Sequence, residues 1–184
     1  DFLGDDGSTV RVVDQPAAIG TTVECAACHN PTAIRWDSVI FPSGVEEEHL
    51  GAQARCMECH QGRSSKGDVD ARIASAGVTD DEDVISSDLG FINVHYFPAG
   101  ATRYGGRVMG GYMYGGKSYD TLFAHVPGFD TCNSCHNPHT LEIELDACAE
   151  CHDTIAHEDL YDIRLDSSKT RDYDGDGDLD EGIW

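Results

Sequence analysis

Basic residues, aromatic side chains and long apolar runs are all scarce in this 184-residue chain. Lys and Arg number 12 against 34 Asp and Glu, a formal net charge of −22. That balance excludes a nucleic-acid phosphate backbone as partner and disfavours an anionic membrane surface. Cationic partners, metal ions and mineral surfaces are compatible with it. No apolar stretch approaches the roughly 20 residues needed to cross a bilayer. The start, Asp1-Phe2-Leu3-Gly4-Asp5-Asp6, has neither the basic nor the apolar region of a signal peptide, so a mature, exported chain without a transmembrane segment is expected. Hydrophobic residues make up 40% and aromatics 8%, which at this length makes a thin core unless something else fills it. Cysteine is missing everywhere except at four places.

At each of those places the pattern is Cys-x-x-Cys-His. The copies are Cys25-Ala26-Ala27-Cys28-His29, Cys56-Met57-Glu58-Cys59-His60, Cys132-Asn133-Ser134-Cys135-His136 and Cys148-Ala149-Glu150-Cys151-His152. Eight cysteines in an exported chain could instead form four disulfides, and Cys-x-x-Cys knuckles can hold zinc or an iron–sulfur cluster. None of those alternatives requires a histidine directly after the second cysteine. With 9 His in 184 residues, four such histidines arise by chance about once in 10⁵. Covalent haem attachment explains both features: two thiols add to the two vinyl groups of one porphyrin, and the next side chain reaches the iron from one face. Four haem c groups are therefore expected, with His29, His60, His136 and His152 as proximal ligands.

Each iron has a second axial position, and its occupant separates an electron carrier from an enzyme that binds substrate at iron. Five histidines remain for four irons: His49, His95, His125, His139 and His157. His139 follows His136 by three residues beside Pro138, which stiffens the chain, and is expected to serve a neighbouring haem. His125 precedes Cys132 by seven residues, and His49 precedes Cys56 by the same offset. His95 sits in the apolar stretch from Leu89 to Phe97, where an unpaired imidazole would be costly. One of His49 and His157 is expected to be spare, or to bind a haem of a neighbouring chain. Met57, inside a motif, and Met109 and Met113 are the thioether alternatives, and the supply of histidines argues for bis-histidine ligation at all four irons.

The motifs form two pairs, with 26 residues between His29 and Cys56, 71 between His60 and Cys132, and 11 between His136 and Cys148. The long gap, 61–131, reads as an insert in a single tetrahaem domain spanning 1–184. Its first part, to Asp88, reads as helical turns plus loop. Tyr104 to Tyr119 has Gly-Gly recurring every five residues and fits short strands joined by tight turns, with Tyr112, Tyr114 or Tyr119 available to pack on porphyrin edges. Thr9 to Val13 reads as a short strand, and Asp159 to Asp166 as a helical turn or strand. Long amphipathic periodicity appears nowhere, so the expected fold is mostly irregular and haem-organised, with short helices, a few short strands and little regular secondary structure. Asp172, Asp174, Asp176, Asp178 and Asp180 alternate around Gly175 and Gly177 as in the first half of an EF-hand loop, marking 172–181 as a possible calcium loop. Ile183 stands where that loop has its bidentate glutamate, so an acid from elsewhere would have to close the site.

From Cys25 to His157 the chain resembles the multihaem c-type cytochromes of metal-reducing and anaerobic prokaryotes. It is most similar in kind to extracellular ones with few regular elements, some of which polymerise into haem-stacked filaments, the cytochrome nanowires. The resemblance implies thioether bonds at the eight cysteines and electron transfer along closely stacked haems. Implied partners are other multihaem cytochromes or identical subunits, and extracellular or mineral electron acceptors. The implied location is extracellular, with a soluble periplasmic shuttle as the alternative. A multihaem reductase with one open iron is the rival of another class. It often carries a variant motif with lysine in place of histidine, and all four motifs here are standard.

Overall fold

With 20 glycines, six prolines and a modest apolar content, few stretches of this chain can sustain a long helix or strand. The computed structural model describes residues 19–20, 23–78, 83–152, 172, 175–177 and 179. Among them are six short α-helices, one 3-10 turn and one two-stranded sheet, the low regular content expected. The strand expected at Thr9–Val13 and the element expected at Asp159–Asp166 lie outside the described residues. The chain divides into two compact units, residues 1–124 and 125–184, so the cut falls inside the long gap between the second and third motifs.

Unit 1 opens with α1 (Cys25–Cys28) and a 3-10 turn at Ala33–Arg35. Next come β1 (Val39–Ile40) and β2 (Glu46–Glu47), which pair antiparallel with Val39 opposite Glu47. Their loop closes where the Phe41 amide donates to the Val45 carbonyl at 2.9 Å. α2 (Gln53–His60), α3 (Lys66–Ser75) and α4 (Ala99–Tyr104) follow. α3 starts where it does because of a capping box. The Ser65 amide donates to the Asp68 carboxylate at 2.7 Å, and Ser65 in turn caps the N3 backbone. It ends at Gly77, whose φ of 69° is the left-handed stop that glycine adopts at no steric cost.

All ten buried apolar residues among those described lie in unit 1. α2 is the centre of that core, packing Ala54 and Met57 against β1 and α4. The close approach of α2 and α4 depends on Gly100, since a Cβ there would lie 3.1 Å from the His60 carbonyl oxygen and 3.3 Å from Met57 Cγ. Phe41 meets Tyr104 edge to face with ring centroids 5.8 Å apart. β2 also turns a carboxylate inward. Glu47 is 3% exposed, and Arg107 Nε holds its Oε1 at 2.6 Å.

The short strands expected across Tyr104–Tyr119 do not form. A single antiparallel bridge, Gly105 to Thr121, pins the base of an irregular loop, with the Gly106 amide donating to the Asp120 carbonyl at 2.8 Å. Positive φ at Gly105, Met109 and Gly116 turns the chain at intervals too short for a ladder. Gly105 is the critical one, with φ 52° and ψ −129°, and a Cβ there would lie 2.3 Å from the Asp120 carbonyl oxygen. Gly105→Ala should cost about 1–3 kcal/mol from backbone strain alone. Gly111→Ala, where a Cβ meets nothing within 4 Å, should stay within about 0.5 kcal/mol of wild type. Urea denaturation followed by circular dichroism checks both.

Unit 2 holds α5 (Cys132–Cys135) and α6 (Leu145–Ala149), packed on one another. Between them the chain folds back through a bridge from His136 to Ile143, and the Glu144 amide donates to the Cys135 carbonyl at 2.8 Å.

Candidate functional site

Each Cys-x-x-Cys-His motif forms the same local structure, one turn of helix closed by the histidine amide. That amide donates to the first cysteine's carbonyl at 2.8 Å in His29, 2.9 Å in His136 and 3.0 Å in His152. In the second motif the turn lies within α2, which ends on His60. Cysteines three apart in a helical turn share one face, and the imidazole follows at the end of the turn. No disulfide joins any of the eight cysteines. Two thiols and an imidazole on one turn fit what covalent haem requires of a protein.

The motifs pair within each unit. Partial burial pushes the Cys59 thiol up, and Glu58, Cys28 and Cys56 add to the shift, so the first and second motifs are electrostatic neighbours. Partial burial likewise raises Cys148, with Cys135 adding to it and a backbone hydrogen bond opposing it.

Two residues that hold these turns were missed at the level of sequence. Asn30 is 5% exposed, and its Nδ2 donates to the Ala26 and Ala27 carbonyls at 2.9 and 3.2 Å. Its Oδ1 accepts from the Thr32 and Ala33 amides, both at 2.8 Å. Asn137 repeats the acceptor half, with Oδ1 taking the His139 and Thr140 amides at 2.9 and 3.2 Å, while its Nδ2 donates to Glu144 at 2.8 Å. The signal lay just beyond the motif, because both first-of-pair histidines are followed by Asn-Pro, an Asx-turn sequence. Both second-of-pair motifs also carry glutamate before the second cysteine, Glu58 and Glu150. The two motif pairs thus share these local features, although their motifs are 26 and 11 residues apart.

Of the candidate second ligands, His125 lies beside the motif histidine His152, with ring centroids 6.1 Å apart. His95 lines a cleft of about 420 Å³ in unit 1 whose walls include Gly105, Gly106, Gly110 and Gly111, and its ring is 6.2 Å from that of Tyr112. The ring of His60 meets Phe97 at 5.6 Å. His139 has its amide fixed by Asn137. His49 sits at φ 61° with its side chain 90% exposed and Nδ1 3.5 Å from Asp37. His157 lies outside the described residues. Met57 is core, 1% exposed, whereas Met113 lines the His95 cleft. In the acidic C-terminal loop, Asp172 accepts the Gly175 and Gly177 amides at 2.6 and 3.0 Å. Asp174, Asp178 and Asp180 lie outside the described residues.

Four thiol–imidazole turns, grouped two by two, carry the Cys-x-x-Cys-His pattern found in multihaem c-type cytochromes. Similarity to known proteins supports that class. Over 125 aligned residues the chain is 33% identical to the C-type polyheme cytochrome OmcB of Geobacter sulfurreducens, in both strain KN400 and strain PCA. The alignment takes in 53% of this chain and 15% of the relatives, so the chain spans only a small part of their length. No protein-family model and no solved structure matches the chain.

Proposed function

We propose that this chain transfers electrons through four covalently attached c-type haems, one on each motif. The observation that carries the reading is the single thiol–imidazole turn, built four times in two neighbouring pairs. The bound haems would supply a one-electron iron couple. The chain's part is to tether, ligate and enclose. Cys25 and Cys28, Cys56 and Cys59, Cys132 and Cys135, and Cys148 and Cys151 form the thioethers, and His29, His60, His136 and His152 take the proximal positions. His125, whose ring lies 6.1 Å from that of His152, would supply a second ligand to the same iron. His95 would supply another from the cleft that Gly105, Gly106, Gly110 and Gly111 line. With a second histidine on every iron, the chain would carry electrons without binding substrate at iron. A surface of net charge −22 suits exported partners of positive charge, among them metal-ion and mineral acceptors, and other multihaem cytochromes.

Intact-mass measurement and a pyridine haemochrome assay on the native protein should give four haems per chain, with low-spin spectra in both oxidation states. Free thiols or bound zinc in place of haem would overturn the attachment. Carbon monoxide binding by the reduced protein would overturn the carrier assignment in favour of an open iron.

A further inference from the structure

The two units carry the same kind of attachment motifs in unequal electrostatic surroundings, both negative but only unit 1 with cations near its motifs. We infer that the two haem pairs differ in reduction potential, with the unit 2 pair lower, so that electrons entering the chain collect on the pair in unit 1. The inference rests on the four-haem reading and concerns how this chain's charges act on each pair.

Reduction at an iron removes one unit of positive charge from its site. Negative surroundings therefore hold the ferric state and lower the potential, while cations and exclusion of water favour the ferrous state and raise it. From His125 to His152, the part of unit 2 that contains both motifs, there is no Lys or Arg. The same stretch carries five carboxylates: Asp130, Glu142, Glu144, Asp146 and Glu150. Three of them flank the haem turns directly. The Glu142 carbonyl accepts the Asn137 amide, Glu144 is bonded to Asn137, and Glu150 is inside the fourth motif.

In unit 1 the corresponding stretch, residues 23–63, has six carboxylates and three arginines. Tertiary contacts add two more arginines: Arg103 donates to Gln53 of α2, and Arg107 holds the buried Glu47. Arg63 lies 4.0 Å over the Tyr96 ring, Tyr96 packs on Phe97, and Phe97 packs on His60, so this cation belongs to the aromatic cluster that His60 joins. Glu58 works in the opposite direction, being buried beside Cys59. The balance still separates the units. Over their whole lengths, unit 1 has nine Lys and Arg against 18 Asp and Glu, and unit 2 three against 16.

Burial does not separate the pairs: Cys25, Cys59, His29 and His60 are exposed in unit 1, as are Cys151 and His136 in unit 2. Glu142, Asp146 and Glu150 are exposed as well. Charge is therefore what distinguishes the two pairs.

Spectroelectrochemical titration of the full chain should resolve two groups of two electrons each. Glu142→Lys combined with Asp146→Lys should raise the lower group and leave the upper one in place. Arg63→Glu should lower the upper group only. The gap should narrow as ionic strength rises, because exposed charges are screened within about 10 Å at 0.1 M salt. Haem count and low-spin spectra of the same samples show whether each variant has loaded and folded, and they test the four-haem reading separately. One unresolved four-electron wave would overturn the inference. So would a lower group that responds to Arg63→Glu, or a gap indifferent to both salt and the charge reversals in correctly loaded protein.

Discussion

Replacing Cys56 and Cys59 together by alanine should remove one haem in four and broaden or abolish the cooperative unfolding of unit 1. Alanine is the best helix former, so α2 itself is not weakened by the exchange. What is lost is a group bound on the helix that carries Ala54, Met57 and Glu58 into the core and packs against both β1 and α4. A group that binds only the folded state contributes its binding free energy to stability, and its removal takes that contribution away. The matched change, Cys132 and Cys135 to alanine, should also remove one haem. It should leave the unit 1 transition in place, because the ten buried apolar side chains among the described residues all lie in unit 1. Intact mass reads the haem loss in both variants, and thermal melts followed by circular dichroism read the transitions. Equal damage to the unit 1 transition by both pairs would contradict the division into units.

Phe41→Ala should cost about 3–5 kcal/mol, the range for emptying a buried phenylalanine site. Phe41 is 2% exposed, closes the β1–β2 loop through its amide and packs edge to face on Tyr104. Tyr104 in turn lies between the Arg103 and Arg107 guanidiniums, 5.7 and 5.9 Å from its ring centroid. A cavity at Phe41 thus also loosens the segment that holds Glu47 paired. Against a typical domain stability of about 5–15 kcal/mol, the loss would be a large fraction of what unit 1 has. Phe91→Ala is the control. That side chain is 76% exposed, and its removal should stay within about 0.5 kcal/mol. Urea melts of the two variants give both values.

The irregular fold was legible in advance because a chain rich in glycine and poor in amphipathic periodicity leaves only short elements possible. The glycine-rich segment read wrongly in detail. Its alternation of aromatic and apolar residues suggests strands, but positive φ at Met109 is a backbone choice that residue identity does not announce. The Asn-Pro that follows His29 and His136 was visible and passed over, since its meaning lies in the hydrogen bonds that Asn30 and Asn137 make.

The thiol–imidazole turn was legible in the sequence alone, because two thiols and an imidazole within five residues lie on one turn of backbone that the histidine amide closes. Only the tertiary structure decided which turns are neighbours, Cys28 with Cys59 and Cys135 with Cys148, and that His125 lies beside His152. It also decided that the buried apolar residues among those described all lie in unit 1, with Arg103 and Arg107 brought to Gln53 and Glu47, while the unit 2 motifs stand among exposed carboxylates. In unit 1 those relations depend on packing at Phe41, Met57 and Gly100, and in unit 2 on the fold-back that pairs His136 with Ile143, neither of which the motif spacing announces.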